Sequence, residues 1–392
     1  MKMHSTSCVR ARASRRALRG MTLIELLVGM VVATITVLAI FQVLGVSESY
    51  KRTTTGGSDA LQNGAFAQYS LQRYITMGGS NYALVTGIFG CPLQAWRSGT
   101  LVAGPTSAAS GYPEPFKTNI DFNVVVSPVI IRPGSGSAAD TVLVFAGQHP
   151  TMAWPFSATI SPNQVTFKAP VGVNGIQNSS GVAQQDLLIA RDQASGTAAT
   201  TCDIAQAMAP LSSDPKTYAL TGSGNVYTGS NAYNNYSPNT QVADIGPQPQ
   251  LVAFTVGNDG QTPDALLSYN LLTNTLYSLA DGIVTMKAAY GVTDVGTDTI
   301  VTSWQLPTGS YAPGNLSSGT IPLLRAVRLA VIARNGQRDK TEVTPSGTID
   351  VFPDNSVLKQ TITVDKHYRY KVFDVIVPLR QMIYMTNSHY SS

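Results

Sequence analysis

Gly20-Met21-Thr22-Leu23-Ile24-Glu25-Leu26-Leu27-Val28 opens an apolar run that reaches Val46 with Glu25 as its sole ionisable side chain. As a helix, the 26 residues from Met21 to Val46 extend about 39 Å at ~1.5 Å per residue. That exceeds the ~30 Å hydrocarbon core of a bilayer. Upstream lie Lys2, Arg10, Arg12, Arg15, Arg16 and Arg19 and no acid. This charge asymmetry places the N-terminus in the cytoplasm and everything after the span on the far side. No later apolar stretch is long enough to cross a membrane.

A secretory signal has a shorter apolar region followed by a small-x-small cleavage site. Here the basic stretch is long, and a carboxylate sits near the start of the apolar run. An acid in that position costs ~2.5–3.5 kcal/mol on insertion scales and needs a reason. Cleavage between Gly20 and Met21 supplies one: it creates an α-amino group that pairs with Glu25 of a neighbouring subunit. The plain alternative is a carboxylate that snorkels to the interface.

Of the 392 residues, 43% are hydrophobic and only 12% charged, with 34 Gly and 22 Pro. The charged share is about half the usual one. The formal charge of +4 comes from the leader; without its six cations, 20 basic residues face 22 acidic ones, a net of −2. Such a body has no electrostatic footprint for nucleic acid. Cys8 falls in the leader, which leaves Cys91 and Cys202 as an even pair. In an exported body, an even pair points to a disulfide. Two buried thiols that never meet are the alternative.

Residues 47–77 continue the helix. Leu61, Ala65, Gln68, Gln72 and Ile75 recur at spacings of three and four, with Phe66 and Tyr69 beside them, which predicts a stripe that docks on a sheet. Thr53 to Ser58, with Gly56 and Gly57, is poor helix sequence. It reads either as a loop between two helices or as a soft joint in one. Beyond Gly78 the pattern turns to strands, predicted at 123–126, 141–145, 164–168, 187–190, 251–256, 266–270, 275–280, 283–290, 324–334 and 368–377. Val327, Leu329 and Val331 alternate clearly, as do Tyr368, Tyr370 and Val372. Asp281-Gly282 predicts a tight turn joining two strands. Residues 193–247, crowded with Gly, Ser, Thr and Asn, read as a flexible insert without a core of its own. There Tyr227, Tyr233 and Tyr236 read as polar loop filler.

The leader and the run after it resemble those of type IV prepilins and pseudopilins, with Met21 where phenylalanine is usual. Several later segments resemble PilW-type minor pilins. These are Ala60-Leu61-Gln62-Asn63-Gly64-Ala65-Phe66 with Leu71-Gln72-Arg73, Gly87-Ile88-Phe89-Gly90-Cys91, and Ala280-Asp281-Gly282-Ile283 with Tyr290-Gly291-Val292. Ala326 to Arg334 and Tyr370-Lys371-Val372-Phe373 complete the series. Tyr74 replaces the acid usual after Arg73. The resemblance implies cleavage after Gly20 by prepilin peptidase, N-methylation of Met21, and a role for Glu25 in assembly.

The fold expected is α+β and pilin-like. A long N-terminal helix, transmembrane in its first half (21–46), packs on an antiparallel sheet, with a large β-rich elaboration over 78–392. The expected function is a minor pilin that helps initiate a type IV pilus and sits at its tip. Partners would be other minor and major pilins, the inner membrane and a tip adhesin. The rival readings are a type II secretion pseudopilin and an adhesin using a prepilin leader. The body would be periplasmic and then extracellular in the pilus.

No HExxH, CxxC, P-loop or GxSxG motif is present, and His149, His367 and His389 lie far apart in sequence. No catalytic site is expected. Asp294-Val295-Gly296-Thr297-Asp298 stands where relatives often carry an acidic loop. Its two carboxylates are weak candidates for calcium, and a plain turn is the simpler expectation.

Overall fold

The long helix α1 runs without interruption from Leu23 to Met77 in the computed structural model of the chain. The structure describes residues 22–148, 156–161, 163–168, 176–177, 183–184, 186–191, 201–208, 216–222, 224–227 and 240–388. It divides into two units, Met1–Thr55 and Gly56–Ser392. Gly56 and Gly57 lie within the helix, so they do not form a loop between two helices.

In the first unit, Leu23–Glu48 is apolar over 26 residues with none of it buried. A helix apolar on every side is suited to lipid or to other apolar helices. Two of its threonines satisfy themselves locally. Thr34 Oγ1 donates to Met30 O (2.6 Å) and Thr36 Oγ1 to Val32 O (2.6 Å), so neither hydroxyl needs water.

In the second unit the helix buries Gly56, Ala60, Gly64, Ala67, Leu71 and Ile75. Only Ile75 of the expected stripe belongs to this face; Leu61, Ala65 and Gln72 are exposed and Gln68 half-buried. The cause is close approach. A Cβ on Gly64 would come within 2.0 Å of Phe373 Cε2, so the part of the docking face nearest Phe373 is made of the small residues Ala60, Gly64 and Ala67, while Leu61 and Phe66 turn outward. Gly79, at φ +86°, lies just beyond the helix end, and its amide donates to Phe145 O at 2.9 Å.

Two antiparallel sheets carry the main core. One has five strands in the order Thr275–Asp281, Ala265–Asn270, Gln250–Gly257, Thr141–Ala146, Val129–Arg132. The other has four, ordered Ser303–Gln305, Ile283–Val292, Leu324–Arg334, Tyr370–Pro378. Leu71, Ile75, Phe145, Phe254, Tyr290 and Leu329 share one cluster between them. The Ile131 amide donates to Tyr290 Oη (2.6 Å), which ties the edge of the first sheet to the second. The C-terminal helix Arg380–Ser388 adds Met382 and Met385 to the same core.

Asp281-Gly282 is not a hairpin turn. The strand before it pairs within the five-stranded sheet and the strand after it within the four-stranded one. The dipeptide is therefore the corner between sheets. Gly282 adopts φ +68°, and a Cβ there would lie 2.9 Å from Arg334 O, so the corner has room for glycine alone. Residues 123–126 also differ from expectation. They run irregularly, bonded to Gly104, Leu93 and Cys91 through the main chain.

The elaboration is an eight-stranded sheet, antiparallel except where Leu93–Arg97 pairs in parallel with Cys202–Gln206. Three of its strands, Cys202–Gln206, Thr217–Ala219 and Thr240–Gly246, come from the stretch read as a coreless insert. That reading is corrected. Ala205, Ala207, Tyr218, Leu220 and Val242 join a separate apolar cluster with Ile160, Val165 and Phe167. The strands are short and rich in alanine, and the apolar pattern is correspondingly faint.

Candidate assembly helix and the groups that fix the body

Gly20 and Met21 lie outside the described residues. The described chain begins at Thr22, and its first turn is a reciprocal cap. Thr22 N and Thr22 Oγ1 each reach Glu25 Oε2 at 3.1 Å, while the Glu25 amide donates to Thr22 Oγ1 at 3.4 Å. This is the Ser/Thr-x-x-Glu capping box, which satisfies orphan donors and sets a negative charge at the positive end of the helix dipole. The arrangement gives Glu25 a local task that the sequence reading missed. The signal was present in the spacing of Thr22 and Glu25. The carboxylate remains exposed at the head of the apolar helix, open to a cation arriving from outside.

Cys91 and Cys202 form a disulfide, with Cα atoms 5.8 Å apart and a sequence separation of 111. Both are buried. The bond stands beside the parallel pairing of Leu93 with Cys202, the one parallel pairing among the described strands of that sheet.

Asp294 and Asp298 lie on the loop after the Ile283–Val292 strand. The loop's main chain turns toward a buried guanidinium. Arg325 Nη2 donates to Gly296 O at 2.7 Å and its Nε to Asp298 O at 2.5 Å, while Nη1 serves Pro322 O (2.6 Å) and Leu324 O (2.9 Å). The cation these carbonyls meet is therefore Arg325. Burial pulls its pKa below the ordinary arginine value, opposed by the charge of Asp298. Among the described residues, no group of three or more His, Cys, Asp and Glu is placed to share a metal ion.

Two further charged contacts lock the strands. Lys287 Nζ meets Asp140 Oδ1 at 3.1 Å with side chains 1% and 3% exposed. Asp140 also accepts the amides of Gly134 (2.9 Å) and Ala288 (2.8 Å). Burial raises the Asp140 pKa, against the lowering effect of Lys287 and those amides. Arg328 forks onto Asp354 and Asp374, with shortest contacts of 2.6 Å to each, over the ring of Phe352. Hydrogen bonds to Asp374 and Asp354 hold its pKa above the usual value. Sequence reading passed over Arg325 and Arg328 because each interrupts an otherwise apolar strand and resembles a solvent-facing alternate.

These features define a class: an α+β protein whose apolar N-terminal helix can cross a membrane and whose β-rich body is built around that helix's second half. Residues 253–381 match the family model PilW, Type IV Pilus-assembly protein W. The match supports a PilW-type, pilin-related protein with a role in type IV pilus assembly. It begins within the Gln250–Gly257 strand, takes in the whole four-stranded sheet and ends in the C-terminal helix. No curated protein and no solved structure matches the chain.

Proposed function

We propose that the chain is a minor pilin, made as a precursor and inserted once in the inner membrane with its N-terminus cytoplasmic and its body periplasmic. Prepilin peptidase removes residues 1–20, and the Met21 amine is methylated. The mature helix then leaves the bilayer for a filament, where its apolar surface is buried by neighbouring pilins instead of lipid. Glu25 meets the α-amine of an adjacent subunit, and the protein helps initiate the filament and stays at its tip, beside an adhesin.

The observation that carries this reading is the 26-residue apolar helix headed by the exposed Glu25 of the capping box. The family description favours a pilus over a secretion pseudopilin. N-terminal sequencing of the mature protein by mass spectrometry is the test, with a chain starting at methylated Met21 expected. A protein that still begins at Met1 refutes the proposal. Glu25→Ala should be processed normally but fail to enter filaments, and undiminished incorporation would remove the pairing step.

A further inference from the structure

The face of the five-stranded sheet that carries α1 is apolar beneath the helix and polar beyond it. Phe254 packs against Tyr74 of α1 with the rings tilted by 57° and their centroids 5.0 Å apart. Across the three strands, Phe254, Ser268 and Tyr277 form one row of register partners, and Val252, Asn270 and Thr275 form the next. Side chains two apart on a strand share a face, so these rows lie on one surface. They border a hollow of about 300 Å³. A second hollow, of about 410 Å³, shares Gln250 and Thr273 with it and extends to Arg97, Gln206 and Tyr227. Each falls within the size range of ligand sites, roughly 300–1,000 Å³.

The polar groups here are fixed in place. Asn270 is only 8% exposed. Its Oδ1 accepts the amides of Leu272 (3.0 Å) and Thr273 (3.4 Å), and its Nδ2 donates to Gln250 Oε1 at 3.1 Å. Gln250 Nε2 in turn donates to Gln248 O at 3.2 Å. An amide nitrogen carries two hydrogens, so after these bonds each of the two keeps one N–H for another acceptor. Gln206 is held by the amides of Val226 and Tyr227, and Tyr227 Oη donates to Leu272 O at 2.9 Å. Tyr74 is backed by Phe254, whereas Tyr277 stands 62% exposed at the rim.

Tyrosines aside, Arg97 is the one ionisable side chain among the described residues lining either hollow, and its Nη1 is engaged with Thr273 O at 2.8 Å. A charged polymer would find almost no counter-charge in such a wall, and an acyl chain would find too many amides and hydroxyls. Oriented neutral hydrogen-bonding groups beside aromatic faces suit a molecule with hydroxyls at its edges and C–H groups on its flat sides. We propose that the joined hollows bind an uncharged oligosaccharide, with Tyr277 as a stacking platform and the Asn270–Gln250 pair reading ring hydroxyls. This site is independent of the assembly role and stands or falls without it.

The test uses the full chain in an amine-oxide detergent, which has no sugar headgroup. Maltopentaose, cellopentaose and chitopentaose are titrated in turn, with trigalacturonate as the charged comparator, and binding is followed by saturation-transfer NMR. Saturable binding of at least one neutral pentasaccharide is expected. Tyr277→Ala should weaken it roughly tenfold without lowering the melting temperature, and Gln250→Leu should also weaken it. Tyr384→Ala, which removes an exposed ring on the C-terminal helix, should leave it unchanged. No saturation by any neutral probe up to about 10 mM, equal affinity in Tyr277→Ala, or tighter binding of trigalacturonate would each overturn the proposal.

Discussion

Lys287→Met tests how the Ile283–Val292 strand is held against the 134–140 loop. The substitution keeps an unbranched side chain, one atom shorter, and removes the cation 3.1 Å from Asp140 Oδ1, which leaves a carboxylate that is almost wholly buried. Breaking one side of such a pair costs about 3–5 kcal/mol. Unfolding entropy of ~2.1 cal/mol/K per residue over the Gly56–Ser392 unit comes to roughly 0.7 kcal/mol/K, so the melting temperature should fall by about 4–7 °C. The loss should also depend on pH. Burial already raises the Asp140 pKa, and Lys287 opposes that rise; without Lys287 the pKa climbs further. A group with a raised folded-state pKa contributes stability that is full below its unfolded value of 3.8 and fades as pH rises through the folded value. The gap between variant and parent is therefore wide at neutral pH and narrows in acid, where Asp140 takes up a proton. Thermal melts of the full chain in detergent at pH 5 and pH 7.5, followed by circular dichroism, measure both effects. Adding Asp140→Asn to the variant should recover part of the loss at pH 7.5. A gap that is the same at both pH values, or a loss below about 1 kcal/mol, would refute the view that an orphaned carboxylate sets the penalty.

Other perturbations probe the remaining joints. Cys91→Ser opens a 111-residue separation, worth up to about 4.7 kcal/mol in the chain-entropy model, and should lower the melting temperature by several degrees; non-reducing peptide maps of the parent should show the Cys91 and Cys202 peptides linked. Gly64→Val places atoms where Phe373 now lies and should cost about 1–3 kcal/mol, with partial recovery in a Gly64→Val/Phe373→Leu double variant. Equal stability of Gly64→Val and parent would mean that the helix-to-strand contact is loose.

The anchor was legible because an unbroken apolar run with a single acid has few other uses. The docking face of α1 was misread for a physical reason: periodicity weights bulky residues, whereas the face that approaches Phe373 most closely is lined by Ala60, Gly64 and Ala67. Leu61, Phe66 and Tyr69 gave the stronger signal and point outward. Asp281-Gly282 shows a similar limit. The turn chemistry was correct, but a dipeptide does not encode whether the strands on either side belong to the same sheet. Thr22 and Glu25 could have been paired from spacing alone, since a threonine three residues before a glutamate at the start of an apolar run is the capping-box pattern. The carbonyl cage around Arg325 had no such signature, because its acceptors are main-chain atoms brought together only by the fold.

The cross-link between Cys91 and Cys202 also bears on mechanics. Their sequence separation of 111 holds about 370 Å of contour length at ~3.3 Å per residue. A molecule drawn out by its two ends cannot release that slack while the sulfurs remain joined. Tension passes directly across the bridge and bypasses Val129–Arg132, Thr141–Ala146 and Leu187–Arg191, which lie inside the loop. Oxidation therefore fixes how far a stretched subunit can lengthen before the chain is taut, and reduction would let it extend by that hidden length.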